Sequence, residues 1–341
     1  MLKEIEIQNF RCFEHIKISG LERVNLIGGK NNAGKTALLE ALFLNVDPQA
    51  SSLEILRKLR RESSEALQAM PNRAWDNLFY ALRKDRAIVI LGKDDNNNTE
   101  QVKIINSSLS RITVELTKNE KGTPNSSSYV ASTQGLRNPY GDPIITDSSY
   151  TTDEVPIIPS FIMISGRELT EAYDNARLDD KDSEVLKAFQ ILDPAIESVE
   201  SFLIGEPTLY LRRKGEKRLP LSLFGDAMNR VAYIILKLVN NKYKILLIDE
   251  IENGIHYTSQ REFWKVLFRL AVELDTQIFA TTHSLEMLQA FAYVGLEPNQ
   301  ECSSAYFELA KKPKTNQIIG IRRDLETLNY ALEHKKGVRG E

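Results

Sequence analysis

Cysteine and long apolar runs are scarce in this 341-residue sequence. Its 2 cysteines, Cys12 and Cys302, are too few for a disulfide framework, and neither has a second Cys or a His at metal-ligand spacing. No apolar run approaches the roughly 20 residues that are needed to span a bilayer. The opening "MLKEIEIQNF" alternates charged and aliphatic residues, unlike a signal peptide or a membrane anchor. These absences predict a soluble, reduced, cytoplasmic protein with no membrane partner.

An excess of charge of one sign is also missing. The sequence has 44 Lys and Arg against 47 Asp and Glu, a net charge of −3, so its composition does not indicate a nucleic-acid binder. Basic residues do cluster in three runs, "RKLRR" (57–61), "RRKGEKR" (212–218) and "KKPK" (311–314). Each run is interpreted either as a solvated face, which we favour, or as a patch for DNA phosphates.

The order of the predicted elements indicates an α/β fold. Strands are predicted at 5–10 and 23–29 and a helix at 36–46, and from 244 onward strand and helix alternate, which is typical of a doubly wound, largely parallel sheet. In between, the patterns predict a helical stretch over 52–85, short strands over 87–116, a polar loop over 119–156, helix over 182–201 and a strand over 207–213.

The strongest motif is "GKNNAGKT" (29–36), which matches G-x-x-x-x-G-K-[ST] between a predicted strand and a predicted helix. Its two glycines allow the backbone to curl so that N–H groups and the helix N-terminus face phosphate oxygens. Lys35 would neutralise β- and γ-phosphate charge, and Thr36 would offer its hydroxyl to Mg²⁺. The residues expected to surround bound ATP here are Gly29, Lys30, Asn31, Asn32, Ala33, Gly34, Lys35, Thr36 and Ala37.

An acidic pair follows the apolar run of "KILLIDE" (244–250). Asp249 falls at the carboxyl end of a strand buried on both faces, where open α/β sheets bind their ligands, and would hold Mg²⁺. Glu250 could act as the general base for the attacking water. Acidic residues also end strands without any such role, so the assignment depends on the accompanying phosphate loop.

A histidine ends the next predicted strand, in "TQIFATTHS" (276–284). His283 could sense the γ-phosphate beside Glu250, although a histidine at a strand end can equally be structural. His256 has the weaker claim and is interpreted as a loop-shaping residue.

These motifs resemble those of the ABC-type ATPases, specifically the SMC, RecF and overcoming-lysogenization-defect (OLD) branch. "IEIQNFRCF" (5–13) is similar to the opening strand of that branch, which implies that Arg11 lies next to the nucleotide. "LSLFGDAMNR" (221–230) falls where the branch has its signature motif. The resemblance implies that Ser222, Gly225 and a helix N-terminus face the γ-phosphate held by a second subunit. Asp226 completes this nucleotide-binding segment as the acidic residue after the glycine, and we expect it to cap a helix that begins near Ala227.

The resemblance implies a single ABC-type ATPase head over 1–341, with a doubly wound mixed sheet, an antiparallel β portion, a helical signature lobe and a variable insert at 48–200. The segment between Thr36 and Ser222 is too short and too rich in strands for a coiled-coil arm. The residues after Ser284 are too few for a Toprim nuclease domain and contain no D-x-D. No position for the family's Q-loop is evident; Gln134 is a poor candidate.

Two functions follow from the resemblance. The first is an ATPase that works as a homodimer or larger assembly and as a sensor or motor for a separately encoded effector, a nuclease or toxin, in anti-phage defence. The alternative is a RecF-like repair ATPase that binds DNA through its basic runs. A transporter subunit is disfavoured by the divergent signature, and a non-hydrolysing scaffold by Glu250 and His283.

Overall fold

The computed structural model describes residues 1–62, 70, 73, 75–108, 111–120, 123–132, 135–137, 155–161, 164–298 and 300–334. Within these ranges the α-helices are α1 (Lys35–Val46), α2 (Ala50–Leu59), α3 (Gly166–Leu178), α4 (Asp182–Leu192), α5 (Asp226–Val239), α6 (Gln260–Glu273), α7 (Leu285–Gly295) and α8 (Leu325–Glu333). The strands are β1 (Leu2–Phe10), β2 (Phe13–Ser19), β3 (Val24–Gly29), β4 (Ile88–Asp94), β5 (Thr99–Ser108), β6 (Arg111–Glu120), β7 (Thr123–Ser132), β8 (Gly135–Arg137), β9 (Ile157–Ile158), β10 (Ile196–Ile204), β11 (Glu206–Arg213), β12 (Leu219–Pro220), β13 (Ile245–Ile248), β14 (Gln277–Thr281), β15 (Ser304–Lys311) and β16 (Ile318–Arg323).

A six-stranded sheet in the order β16-β15-β3-β14-β13-β9 positions the site. Its strands are parallel except β16, which pairs antiparallel with β15. Every residue of β3 and β14 is buried, as expected of parallel strands that are covered on both faces. The carboxyl ends of β3, β13 and β14 therefore meet at one edge of this sheet.

A second, seven-stranded sheet in the order β2-β1-β4-β5-β6-β7-β8 is antiparallel. Helix α1 contacts strands of both sheets, and one apolar cluster contains Leu38 and Leu42 of α1, Ile7 of β1 and Phe279 of β14. Because α1 is enclosed between two sheets, almost every one of its residues is buried. The phosphate loop that precedes α1 is thus held by packing on both sides.

Helices α3 to α7 form a second apolar cluster with the small sheet β10-β11-β12. Helix α5 lies within this cluster and buries Val231, Ile234, Ile235 and Leu238. The mixed sheet, the antiparallel portion and the helical lobe agree with the predicted fold. In the described ranges, no helix combines the length and the apolar character that crossing a membrane requires.

The predicted helical stretch over 52–85 is confirmed as far as Leu59 and is wrong over 75–85; residues 63–69, 71–72 and 74 lie outside the described ranges. Helix α2 ends at Leu59, and the described residues further on form short 3₁₀ turns at Asp76–Leu78 and Tyr80–Leu82. Ala81 and Leu82 have φ of 49° and 61°, which an α-helix cannot accommodate. Tertiary packing of the fully buried Trp75 decides the local conformation instead.

The predicted loop over 119–156 is wrong for 119–120, 123–132 and 135–137, which form strands, whereas 155–156 are irregular as predicted. Strand β7 pairs with β6 throughout its length, and β8 extends the sheet by one more strand. The Ser-rich residues of β7 at 123–128 are exposed, so no apolar alternation marks the strand, although ladder hydrogen bonds need none. Gln134 and residues 138–154 lie outside the described ranges.

The predicted helix over 182–201 is half helix and half strand. Helix α4 ends at Leu192, two residues before Pro194, and strand β10 begins at Ile196. A residue that precedes proline is disfavoured in the α conformation, which explains the early end. Helix α3 was not predicted, although Ser165 and Glu168 form a capping box at its start, a signal that is visible in the sequence.

Candidate functional site

The phosphate loop connects β3 to α1 and needs glycine at both of its motif positions. Gly29 has φ of 139°, and a Cβ there would lie 2.4 Å from the Leu309 carbonyl oxygen. Gly34 has φ of 94°, and a Cβ there would lie 2.8 Å from Cys12 Sγ. Left-handed backbone and close packing both exclude larger residues. Both glycines are therefore required by the conformation and the packing of the loop.

The Lys35 side chain lies inside this loop. Its Nζ donates to the carbonyl oxygens of Gly29 at 2.9 Å and Lys30 at 3.0 Å. Burial lowers the pKa of Lys35, and the nearby carboxylates of Asp249 and Glu250 oppose that shift. The amine is thus held at the floor of the loop, close to two acidic groups.

Thr36 and Asp249 are brought into contact from positions far apart in the sequence. The Thr36 hydroxyl lies 3.0 Å from Asp249 Oδ2, and the Thr281 hydroxyl donates to Asp249 Oδ1 at 2.6 Å. Burial raises the pKa of Asp249, while these hydroxyl hydrogen bonds act against the rise. A hydroxyl and a carboxylate side by side are the oxygen donors that Mg²⁺ prefers, so these residues fit the metal that the motif implies.

Glu250 has a strained backbone that three contacts hold in place. Its φ is 47°, a left-handed value that costs a non-glycine residue about 1–2 kcal/mol. Its N–H donates to the Thr281 hydroxyl at 2.8 Å, and Arg230 Nη2 lies 3.4 Å from its carbonyl oxygen. Asn253 Nδ2 donates to its Oε2 at 3.0 Å. Strain of this kind persists where surrounding contacts over-determine the conformation.

His283 lies beside the Glu250 carboxylate. The distance from His283 Nε2 to Glu250 Oε1 is 3.6 Å, and both side chains are about one-third exposed. The His283 backbone N–H donates to Glu252 Oε1 at 2.6 Å, which fixes the turn that carries the imidazole. His256 lies elsewhere, with its Nδ1 2.8 Å from the Thr258 hydroxyl and its ring beside Tyr257.

A pocket of about 1130 Å³ joins these groups. Eleven of the residues predicted from the sequence line it: Arg11, Asn31, Asn32, Ala33, Gly34, Lys35, Thr36, Ala37, Asp249, Glu250 and His283. Gly29 and Lys30 do not line the pocket and contribute their carbonyl oxygens to Lys35 instead. Ser222, Gly225 and Asp226 are not among the lining residues.

Arg11 lines the pocket and forms an ion cluster with Glu40 and Arg60 that was not predicted from the sequence. Arg11 Nε lies 3.0 Å from Glu40 Oε2, and Arg60 Nε lies 2.5 Å from Glu40 Oε1. Arg11 also donates to the Asn77 carbonyl at 3.0 Å. Glu40 is only 2% exposed. The one visible signal was a carboxylate inside the otherwise apolar run "ALLEALF".

The signature segment lies outside the pocket and is open. Ser222 and Gly225 are exposed, and a Cβ at Gly225, where φ is 95°, would meet nothing within 4 Å. Helix α5 begins at Asp226 itself with Gly225 as its N-cap residue, so the prediction that Asp226 caps a helix starting near Ala227 is wrong. The positive φ of Gly225 supplies the turn into the helix. The Asp226 side chain lies outside the described part of the structure.

Comparison with known proteins identifies the family of this chain. The model described as "AAA domain, putative AbiEii toxin, Type IV TA system" matches residues 24–288, more than half of the chain. The chain belongs to this family. Together with the phosphate loop and its acidic partners, membership of the AAA-domain family makes the chain an ATP-hydrolysing P-loop enzyme, as the sequence predicted.

Relatives and solved structures agree with the AAA-domain assignment. An "ATP/GTP phosphatase" of Helicobacter pylori is 26% identical, and the alignment covers 100% of both chains. A "DNA replication and repair protein RecF" of Bacillus mycoides is 42% identical over 43 residues, 13% of this chain and 12% of that protein. An SMC head solved with the C-winged helix domain of ScpA covers 96% of this chain and 99% of its own, with 12% identity and a TM-score of 0.52. This last likeness confirms the predicted SMC-head-like fold and nothing more.

The segment matched by the AAA-domain model contains most of the candidate site. The phosphate loop, Ser222, Asp249, Glu250 and His283 all fall inside 24–288, whereas Arg11 precedes it. Sequence reasoning missed Thr281 and Arg230, which contact Asp249 and Glu250 from other segments, and Asn253, which contacts Glu250 from the same turn three residues later. Thr281 is the only one of these that a strand-end rule could have suggested, since it closes β14 beside β13.

The basic runs differ in how far they are engaged within this AAA-domain chain. Every arginine of the first two runs contacts a carboxylate or an aromatic ring: Arg57 with Glu62, Arg60 with Glu40, Arg61 with Phe161, Arg212 with Glu197, Arg213 with Asp193 and Arg218 with Glu200. Residues 311–314, "KKPK", are all exposed in the β15–β16 hairpin. The solvated or structural interpretation therefore fits the first two runs.

Proposed function

We propose that the chain is a Mg²⁺-dependent ATPase that hydrolyses ATP between two copies of itself and drives a separately encoded effector. One observation carries the proposal. The phosphate loop, Asp249, Glu250 and His283 converge on one pocket, while Ser222 and Gly225 are exposed outside it. A complete site thus needs the signature segment of a second copy.

The pocket residues have distinct parts in hydrolysis. Backbone N–H groups of the loop and the Lys35 amine bind the β- and γ-phosphates, and Thr36 and Asp249 would hold Mg²⁺, which neutralises phosphate charge when bound. Glu250 Oε1 accepts a proton from the water that attacks the γ-phosphorus, so that ADP and inorganic phosphate are formed. His283, 3.6 Å away, orients that water and the γ-phosphate oxygens.

The signature segment is suited to a phosphate that arrives from outside the chain. Ser222 offers a hydroxyl, Gly225 a backbone N–H without a side chain, and α5 its positive N-terminal end. The open space around Gly225 would admit the partner's γ-phosphate closely. If Ser222 and Gly225 acted within the monomer, we would expect them to line the pocket of their own chain.

The effector and its setting rest on the family. The description of the matching model names a putative toxin and a type IV toxin–antitoxin system, which supports a role beside a toxin or an antitoxin; a nuclease effector and a setting in anti-phage defence are our proposal. The name of the Helicobacter pylori relative supports nucleotide hydrolysis and makes GTP a second substrate to compare with ATP. The RecF-like alternative has a shorter match and basic runs that are mostly engaged internally.

Mixing two inactive variants tests the shared site. Ser222→Glu removes the signature function and Lys35→Ala removes the phosphate loop, so each protein alone should lack ATPase activity. A heterodimer has one site built from two undamaged halves, and the mixture should regain up to about half of the activity per assembled dimer.

The control mixture replaces Ser222→Glu with the double variant Lys35→Ala/Ser222→Glu, which offers no undamaged phosphate loop and should stay inactive. Equal inactivity of both mixtures, when sedimentation shows that heterodimers form, would contradict a shared site.

A further inference from the structure

The Glu250 carboxylate has two oxygens in different surroundings. Oε1 lies 3.6 Å from Nε2 of His283, which lines the pocket together with Glu250, whereas Oε2 accepts a hydrogen bond from Asn253 Nδ2 at 3.0 Å. The same nitrogen donates to the Ser160 carbonyl oxygen at 2.9 Å. One oxygen is therefore anchored while the other remains available to water.

The orientation of the Asn253 amide follows from its neighbours. A carboxylate oxygen and a backbone carbonyl oxygen are both acceptors, so the atom between them has to be the amide nitrogen, with one hydrogen for each. An aspartate in its place has the same shape but would direct a carboxylate at two acceptors. Asn253 is thus suited chemically, and not only in shape, to its position.

Asn253 also joins two walls of the pocket. Ser160 follows β9, which runs parallel to β13, and both Ser160 and Glu250 line the pocket. The Asn253 backbone N–H donates to the Glu250 carbonyl at 3.0 Å, which closes the turn after the strained Glu250. Asn253 itself does not line the pocket. Its contacts reach the reaction only through Glu250 and Ser160.

We propose that Asn253 is a positioning residue that holds the Glu250 carboxylate with Oε1 toward the attacking water and ties it to the pocket wall at Ser160. The inference rests on the proposed role of Glu250 as general base. It assigns Asn253 to the chemical step and not to nucleotide binding, since Lys35 and the phosphate loop lie on a different segment. A small displacement of a general base is sufficient to slow a reaction greatly.

The test compares Asn253→Asp with Asn241→Asp. Asn241 lies before the same strand, β13, and its Nδ2 likewise donates to a backbone carbonyl, that of Ile245 at 3.0 Å, far from the pocket. Both variants lose one amide donor and gain one carboxylate. We expect kcat of Asn253→Asp to fall about 10- to 100-fold with KM and the Kd for fluorescent ATP within about 3-fold of wild type. Asn241→Asp should retain wild-type kcat.

Two further variants separate positioning from other effects. Asn253→Ala removes the donor without adding charge and should lower kcat similarly, and Asn253→Gln, which keeps an amide donor, should recover part of the rate. In a Glu250→Gln background, Asn253→Ala should leave the residual single-turnover rate unchanged, because the group that it positions is gone.

A kcat for Asn253→Asp and Asn253→Ala equal to that of Asn241→Asp would overturn the inference, as would a loss confined to Kd. A further drop in the Glu250→Gln background would also overturn it. Failure of the proposed function would look different: Glu250→Gln itself would then turn over ATP at the wild-type rate. Circular dichroism and thermal unfolding confirm for each variant that the fold is retained.

Discussion

At the sheet edge, ATP binding and ATP hydrolysis depend on different residues. Lys35 lies inside the phosphate loop, and together they would bind phosphate. Its hydrogen-bond partners are carbonyl oxygens of that loop. Glu250, by contrast, is held by Thr281 and Arg230 from two other segments and by Asn253 from the turn that follows it. Replacing Lys35 should therefore impair ATP binding, whereas replacing Glu250 should impair hydrolysis.

Lys35→Ala should abolish measurable ATP binding, because the amine that neutralises phosphate charge is lost. Glu250→Gln should bind ATP with near wild-type affinity and lose at least about 100-fold in kcat, because the loop is intact and the base is gone. Fluorescent-nucleotide titration and a phosphate-release assay measure the two quantities. Equal hydrolysis rates for wild type and Glu250→Gln would remove Glu250 from the mechanism.

Two elements of the helical lobe begin or turn at a glycine with positive φ. Gly225 at the start of α5 and Gly205 at the tip of the β10–β11 hairpin share left-handed φ values, 95° and 78°, and open space where a Cβ would be. Neither glycine is required by packing within the chain. The backbone conformation alone makes glycine favourable at both.

Gly205→Ala should destabilise the protein by about 1 kcal/mol, because alanine is forced to a positive φ, and Gly225→Ala by about 1–3 kcal/mol, because φ 95° with ψ 158° is a conformation that is essentially restricted to glycine; urea unfolding measures both. Only Gly225→Ala should also lose ATP hydrolysis, since its methyl group would intrude between the signature segment and the partner's nucleotide. Unimpaired hydrolysis by Gly225→Ala would show that nothing approaches this glycine closely.

At the scale of the molecule, ATP is expected to assemble two copies. Sedimentation velocity of Glu250→Gln with ATP and Mg²⁺ at micromolar concentration should show a dimer or larger species, because unhydrolysed ATP bridges the two subunits. Ser222→Glu/Glu250→Gln should remain monomeric, since its added carboxylate repels the γ-phosphate. Removing Mg²⁺ with EDTA should also give monomer. A monomer under the first condition, or normal assembly of the Ser222→Glu variant, would contradict the dimer.

The response of the whole molecule to DNA distinguishes the RecF-like alternative from the proposed function. If DNA were the partner, duplex DNA would stimulate ATP hydrolysis, and binding would weaken steeply with salt because phosphate contacts release counterions. The exposed "KKPK" hairpin is the run best placed for such contacts. We expect no stimulation and no change on replacing Lys311, Lys312 and Lys314 by Gln; strong, salt-sensitive stimulation would favour the alternative.

The sequence by itself determined the local features and the parallel sheet that brings them together. The phosphate loop follows from residue types at fixed spacing, and the rule that strands end at a common edge was enough to expect Asp249 near Thr36, although 213 positions separate them. The alternation of strand and helix that the sequence predicts from 244 onward is observed from β13 to α7.

Only the tertiary structure decided which side chains support these groups. Glu40 between Arg11 and Arg60, and the contact of Asn253 with Ser160, depend on how separate segments pack, and no local pattern encodes such pairs. Strand β7 likewise exists because β6 offers its edge, since its own Ser-rich sequence lacks apolar alternation. The physical reason is common to all three: periodicity reports burial along one segment, whereas hydrogen-bond partners are set by the contacts between segments.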